Sequence, residues 1–230
     1  MDLIVFALAP VVVVIIYIYL KDKYEKEPKR LLLFSFLLGA FVSIIITTIL
    51  YSVFDIALPL TNKLSIIQQF IQAFFVVGFS EELSKYLVVL LFAQRQQAFN
   101  EPFDGIVYAV MVSMGFAATE NIMYVLDSGA PTALLRAFTA IPAHASFGIL
   151  MGYFMGKAKF SKNRMALNIT GLALAVLFHG AYDFFLFIDF VPGIWVGAFV
   201  SLIIGIVLSR KAIKRHQIAS HFKNDLDIKS

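Results

Sequence analysis

Seven apolar stretches dominate this sequence, over roughly residues 3–20, 31–54, 66–93, 105–126, 134–156, 166–188 and 194–209, and they leave few ways to fold it. A helix needs about 20 apolar residues to cross the hydrocarbon core. In lipid its backbone groups must be satisfied internally, so helices or closed barrels are the available solutions. The expectation is therefore an all-α fold, a polytopic transmembrane helix bundle of about seven spans. Composition agrees, with 60% hydrophobic residues and a mean hydropathy of +0.84, far above ordinary soluble domains. No linker or repeat divides the chain, which reads as one integral membrane domain over 1–209 and a basic tail over 210–230. The start, Met1-Asp2-Leu3, has no basic segment ahead of the apolar run, so residues 3–20 read as a retained span and not a cleaved signal.

The basic residues fix an orientation. Sixteen lysines and arginines fall in alternate connections, at positions 21–30, Arg95, positions 157–164 and positions 210–229, against Lys63 alone in the opposite ones; Lys85 and Arg136 fall within spans. Such asymmetry marks the cytoplasmic side, which puts the N-terminus outside and the C-terminus in the cytoplasm of a multi-pass protein of the cell membrane. The +4 net charge comes from these short clusters between spans, a pattern made for the lipid bilayer and not for nucleic acid. His216 and His221 read as solvated residues of the tail, and the absence of cysteine excludes disulfides and thiolate chemistry.

Against this background the polar residues inside spans stand out. Phe79-Ser80-Glu81-Glu82-Leu83-Ser84-Lys85-Tyr86 puts two carboxylates and an ammonium in the middle of an apolar segment. Each such charge costs roughly 2.5–3.5 kcal/mol on insertion scales and marks a protein interior or wet cavity. On a helix Lys85 lies four residues from Glu81 and three from Glu82, within reach of both. The fourth span carries Glu120 and Asn121 with Tyr124 one turn on, the fifth His144, and the sixth His179 with Asp183 four later on the same face. Counted from the proposed span ends, these groups reach one layer of the membrane. Gly148, Gly152 and Gly156 continue the spacing of His144 and turn it toward a packed face. Asp104-Gly105 reads as the opening of the fourth span, and Asp127 to Pro131 as a tight outer connection.

A glutamate pair with two histidines supports hydrolysis: a carboxylate as base for water, and histidines that polarise a carbonyl or hold a metal. Two histidines with one or two glutamates, here Glu82, His144 and His179, also make a donor set acceptable for catalytic zinc. Buried Glu, His and Asp equally build proton relays, so a proton-coupled transporter or channel is an alternative, and a non-catalytic membrane scaffold or receptor is another. No inverted repeat or pair of matched broken helices favours transport.

Taken together, Glu81-Glu82-Leu83-Ser84-Lys85-Tyr86, Asp104-Gly105-Ile106-Val107-Tyr108, Gly115 to Asn121, His144-Ala145 and His179-Gly180-Ala181-Tyr182-Asp183 resemble the PrsW family of intramembrane proteases, as does the early Tyr19 to Pro28 segment. The match runs in order from about residue 17 to 185. It implies a site-1 protease that cuts a single-span anti-sigma factor on its extracytoplasmic side in envelope-stress signalling. That family is similar in turn to the CAAX prenyl endopeptidases, which implies a CAAX-protease-like core. The pattern of a Glu-Glu motif, a His on another helix and a His with Asn or Asp four later maps onto Glu81, Glu82, His144, His179 and Asp183. It implies Glu82, helped by Glu81 or His144, as the activator of water, with His179 and Asp183 at the oxyanion or a metal. The CAAX likeness is also compatible with a metal-independent glutamate mechanism. One departure is that the prenyl endopeptidases carry Arg four after the second Glu, whereas Lys85 stands three after Glu82.

Overall fold

The computed structural model describes residues 3–223, and no strand occurs among them. Seven helical elements follow the apolar stretches: α1 (Leu3–Lys21), α2 (Lys29–Ala57), α3 (residues 66–91), α4 (Pro102–Phe138), α5 (Ala140–Lys159), α6 (Arg164–Phe187) and α7 (Val196–Ala219). Five of them, α1, α2, α4, α6 and α7, are long and apolar enough to cross a membrane. The other two are α3, which carries Glu81, Glu82 and Lys85, and α5, where glycine, serine and histidine replace large apolar side chains. The chain is a multi-pass helical membrane protein.

The bundle is built around α4, in which every residue from Phe103 to Ala118 is buried. A helix apolar on all sides belongs in an interior, and α1, α2 and α5 pack around this one. By contrast α1 buries only Ala7, Val11 and Ile18, one narrow stripe, and leaves Ile4, Val5, Val13, Ile16 and Leu20 exposed as a lipid-facing surface needs. Small residues set the closest approaches. A Cβ added at Gly152 of α5 would lie 2.3 Å from the Gly105 carbonyl oxygen of α4, and one at Gly115 of α4 1.9 Å from the Phe36 carbonyl oxygen of α2. These contacts hold α5, and with it His144, against the centre of the molecule.

Several boundaries differ from the sequence expectation. α4 begins at Pro102, with Asp104 as the third residue of a capping box closed by Glu101, because the Asp104 carboxylate accepts the Asn100 and Glu101 backbone N–H groups at 2.7 and 2.8 Å. The Asp127–Pro131 stretch is no open turn but a kink within α4 at Gly129 (φ 79°), a left-handed conformation suited to glycine, after which helix resumes to Phe138. Pro142 lies in the first turn of α5, where no hydrogen bond is lost. α7 continues past 209 to Ala219, so the basic segment starts as helix. His216 is buried there and not solvated: its ring stacks on Tyr153 at 4.3 Å and its Nε2 lies 2.9 Å from the Tyr153 carbonyl, while His221 is exposed. Lys229 and the rest of the tail after residue 223 lie outside the described residues, as do Met1 and Asp2.

At the end where the lysines and arginines gather, the α1–α2 connection folds onto the start of α4. The Tyr108 hydroxyl donates to Glu27, and the Lys26 ammonium donates to the Tyr19 and Asp22 carbonyls. Burial pushes the Asp22 carboxyl up to about 6 and that of Glu27 up to about 7.

Candidate active site

Glu81, Glu82 and Lys85 emerge from α3 just after a π-helical stretch, Gln72–Gly78. Its wider turn offsets the helix face that follows, a device common at functional sites. Gly78 lies against Gly180 of α6, where a Cβ would sit 3.1 Å from the Gly180 nitrogen, and a Cβ at Gly180 would lie 2.5 Å from the Phe74 ring. With almost nothing between the two backbones, Glu82, one turn beyond Gly78, meets His179, next to Gly180. Oxygens and nitrogens of Glu81, Glu82, His144 and His179 come within 4.8 Å of one another.

Each of these groups has a defined partner. The Lys85 ammonium donates to Glu82 Oε1 at 2.7 Å, to Glu81 Oε2 at 3.3 Å and to His144 Nδ1 at 3.3 Å. An ammonium has no lone pair, so Nδ1 accepts, and Nε2 of His144 carries the proton and donates to Glu120 Oε2 at 2.9 Å. His179 places Nδ1 2.8 Å from Glu82 Oε1 and Nε2 3.2 Å from Asp183 Oδ2. A neutral ring donates to only one of these, so the second contact requires the imidazolium or a protonated carboxyl. The His179 ring stacks on Phe147 at 4.9 Å and meets His144 edge-on at 5.3 Å.

The two glutamates are not equivalent. Glu81 lines a cavity of about 690 Å³ together with Glu120, His144, His179 and Asp183. Glu82 does not line it; it is 0% exposed, its Oε1 is shared by Lys85 and His179, and its Oε2 has no hydrogen-bond partner. The remaining cavity wall is largely apolar, with Phe116, Leu135, Trp195 and Phe199 among its residues.

A family model described as PrsW family intramembrane metalloprotease matches residues 27–209. The chain belongs to the PrsW family. Proteins named Protease PrsW are 39% identical over 180 residues in Oceanobacillus iheyensis (78% of this chain, 80% of that protein), and 36% over 193 in Geobacillus kaustophilus (84% and 83%). The one from Bacillus subtilis is 35% identical over 181 residues (78% and 80%). No solved structure matches the chain. As a PrsW member it is a membrane-embedded peptide hydrolase, and the transporter and scaffold readings give way to that.

The metal in the PrsW family's description can be tested against the side chains. Glu81, Glu82, His144 and His179 are a donor set of the catalytic zinc type. Both histidines are backed by a carboxylate, Glu120 behind His144 and Asp183 behind His179, as metal-ligating histidines usually are. The Lys85 ammonium already touches three of the four donor residues, so the spot between them accommodates a cation. Four carboxylates here face two fixed cations, Lys85 and Arg136, so the cluster stays net negative even with the extra proton that the two His179 contacts require. The residues fit a divalent ion.

All the site residues expected from sequence lie in this region except Asn121, which sits one contact further out. It faces away from the donors, giving its Nδ2 to the Ala7 carbonyl and accepting from Arg136 Nε, both at 2.7 Å. Three participants were not foreseen. Tyr51 of α2 donates its hydroxyl to Glu81 Oε1 at 2.7 Å. Arg136, beyond the Gly129 kink, reaches back to Glu120 at 2.6 Å and lies over the Tyr124 ring at 4.1 Å. Phe147 supports His179. A charge inside a span was the available signal for Arg136; Tyr51 and Phe147 look like ordinary apolar-helix residues.

Proposed function

We propose that this protein makes the site-1 cut in a single-span membrane protein such as an anti-sigma factor, with Glu81 as the base for water. The observation that carries this reading is the convergence of Glu81, His144 and His179 on the wall of one cavity inside the helix bundle. Glu81 takes the proton of the attacking water and returns it to the leaving amine. Tyr51 and Lys85 hold its two oxygens in place. His144, its proton fixed on Nε2 by Glu120, keeps the Nδ1 lone pair toward Lys85 and the two glutamates. His179, held by Glu82 and Asp183 and stacked on Phe147, turns one N–H from its carboxylate to the developing oxyanion. Glu82, out of contact with the cavity, anchors Lys85 and His179 and leaves base chemistry to its neighbour. A divalent metal held by Glu81, Glu82, His144 and His179 would polarise the scissile carbonyl and acidify water. The apolar cavity wall suits a helical segment unwinding at membrane depth. In the cell the N-terminal end faces outward and the basic tail, 210–230, the cytoplasm, so the cut falls toward the extracytoplasmic side of the substrate.

The test compares new N-termini of membrane proteins in cells expressing wild type or Glu81→Gln at equal membrane levels. A truncated single-span protein present only with the wild type is the expected result. Identical profiles at rest and under envelope stress would refute the reading.

A further inference from the structure

A second group of acids lies away from the protease site, where the loop between α1 and α2 meets the start of α4. Glu25, Glu27 and Asp104 each bring a carboxylate oxygen within 4.8 Å of the others. Acidic clusters are common on protein surfaces, but this one is enclosed: Glu27 is 2% exposed and Asp104 0%. What distinguishes it is how the oxygens are used. Glu27 accepts the Tyr108 hydroxyl on Oε2, Glu25 accepts Asn100 Nδ2 on Oε1 at 3.2 Å, and Asp104 accepts two backbone N–H groups on Oδ2. The other oxygen of each, Glu27 Oε1, Glu25 Oε2 and Asp104 Oδ1, is buried and has no hydrogen-bond partner, and neither has the Asn100 side-chain carbonyl.

Three carboxylates each fixed through one oxygen, with the second oxygen unpaired, match the way metal ligands are oriented by outer partners. Buried polar atoms are otherwise rarely left unpaired. The nearby ammonium does not fill the gap, since Lys26 is turned to the Tyr19 and Asp22 carbonyls. We infer that Glu25, Glu27 and Asp104, with the Asn100 carbonyl, form a binding site for a hard divalent cation of the Mg²⁺/Ca²⁺ class. The donors are all oxygen, which selects such ions over zinc. The bound ion ties the α1–α2 loop to the first turn of the central helix, giving the Lys21–Arg30 segment a task beyond topology.

The test uses the full chain in detergent, stripped with a chelator, and Mn²⁺ as the probe, followed by loss of the free-ion electron paramagnetic resonance signal. Wild type and Glu82→Gln bind Mn²⁺ at a site from which excess Mg²⁺ displaces it. Glu25→Gln and Asp104→Asn lose that Mg²⁺-sensitive site or weaken it at least tenfold. Because Asp104 also caps a helix, Glu25→Gln, an isosteric change at a residue bonded only to Asn100, is the decisive variant. Its cooperative melting shows that it is folded. Mg²⁺ raises the melting temperature of wild type and Glu82→Gln but not of Glu25→Gln. Undiminished Mg²⁺-sensitive binding in Glu25→Gln, or no such binding in the wild type, overturns the assignment. Both readouts are independent of proteolysis.

Discussion

Glu81 and Glu82 are adjacent in sequence and meet different surroundings because successive helix positions point about 100° apart. Glu82 is enclosed between Lys85 and His179, so Glu82→Gln leaves an ammonium and an imidazole without their carboxylate. Breaking one side of a buried ion pair costs about 3–5 kcal/mol, and thermal unfolding in detergent is expected to show that loss together with loss of cleavage. Asp183 lines the cavity and touches the donor cluster at His179 Nε2, 3.2 Å away. Asp183→Asn keeps the shape but removes the charge, and cleavage is expected to fall about 10–100-fold with little change in stability. Substrate KM moves less than kcat, because the isosteric change keeps the shape of the cavity wall that Asp183 lines and acts on the orientation and proton of His179.

At the scale of elements, the site depends on helices that approach closely at glycine. Gly78 and Gly180 let α3 and α6 meet beside Glu82 and His179, and Gly180→Leu drives a side chain into the Phe74 ring. Overpacking of this kind costs about 1–3 kcal/mol; here it also separates Glu82 from His179. Cleavage is expected to drop further than stability accounts for, as judged by comparing rate and melting temperature with Gly197→Leu at the equally close Phe185 contact outside the site. The helices themselves were legible because a membrane span needs a long apolar run, and each expected span has a helix. The ends were less so. α4 starts three residues early because Asp104 caps from the third position, and Gly129 kinks a helix that the Asp-Ser-Gly-Ala-Pro composition suggested would stop. α7 runs on because nothing in Arg210 to Ala219 breaks a helix once His216 has Tyr153 to stack on.

For the whole molecule, the sequence carried the four donor residues because charge inside a span is conspicuous. It did not carry the proposed division of labour between the glutamates, which rests on which one the cavity reaches, nor Tyr51 and Phe147, whose contacts depend on three-dimensional neighbours. The basic end and the cavity end also give the molecule a direction. Reporter fusions after residue 223 are expected to be active only in the cytoplasm, and a tag in the Leu58–Ser65 connection accessible only from outside; the reverse pattern would invert the proposed side of cleavage. Glu81, facing the cavity, is proposed to activate water for peptide hydrolysis. The most direct measurement is the single-turnover cleavage rate of the substrate found by N-terminal profiling, with wild type and Glu81→Gln reconstituted in liposomes and melted in parallel. The rate is expected to fall by about 10²–10⁴-fold, the usual contribution of a positioned acid–base group, in a protein that still melts cooperatively. Cleavage by folded Glu81→Gln at the wild-type rate would contradict it.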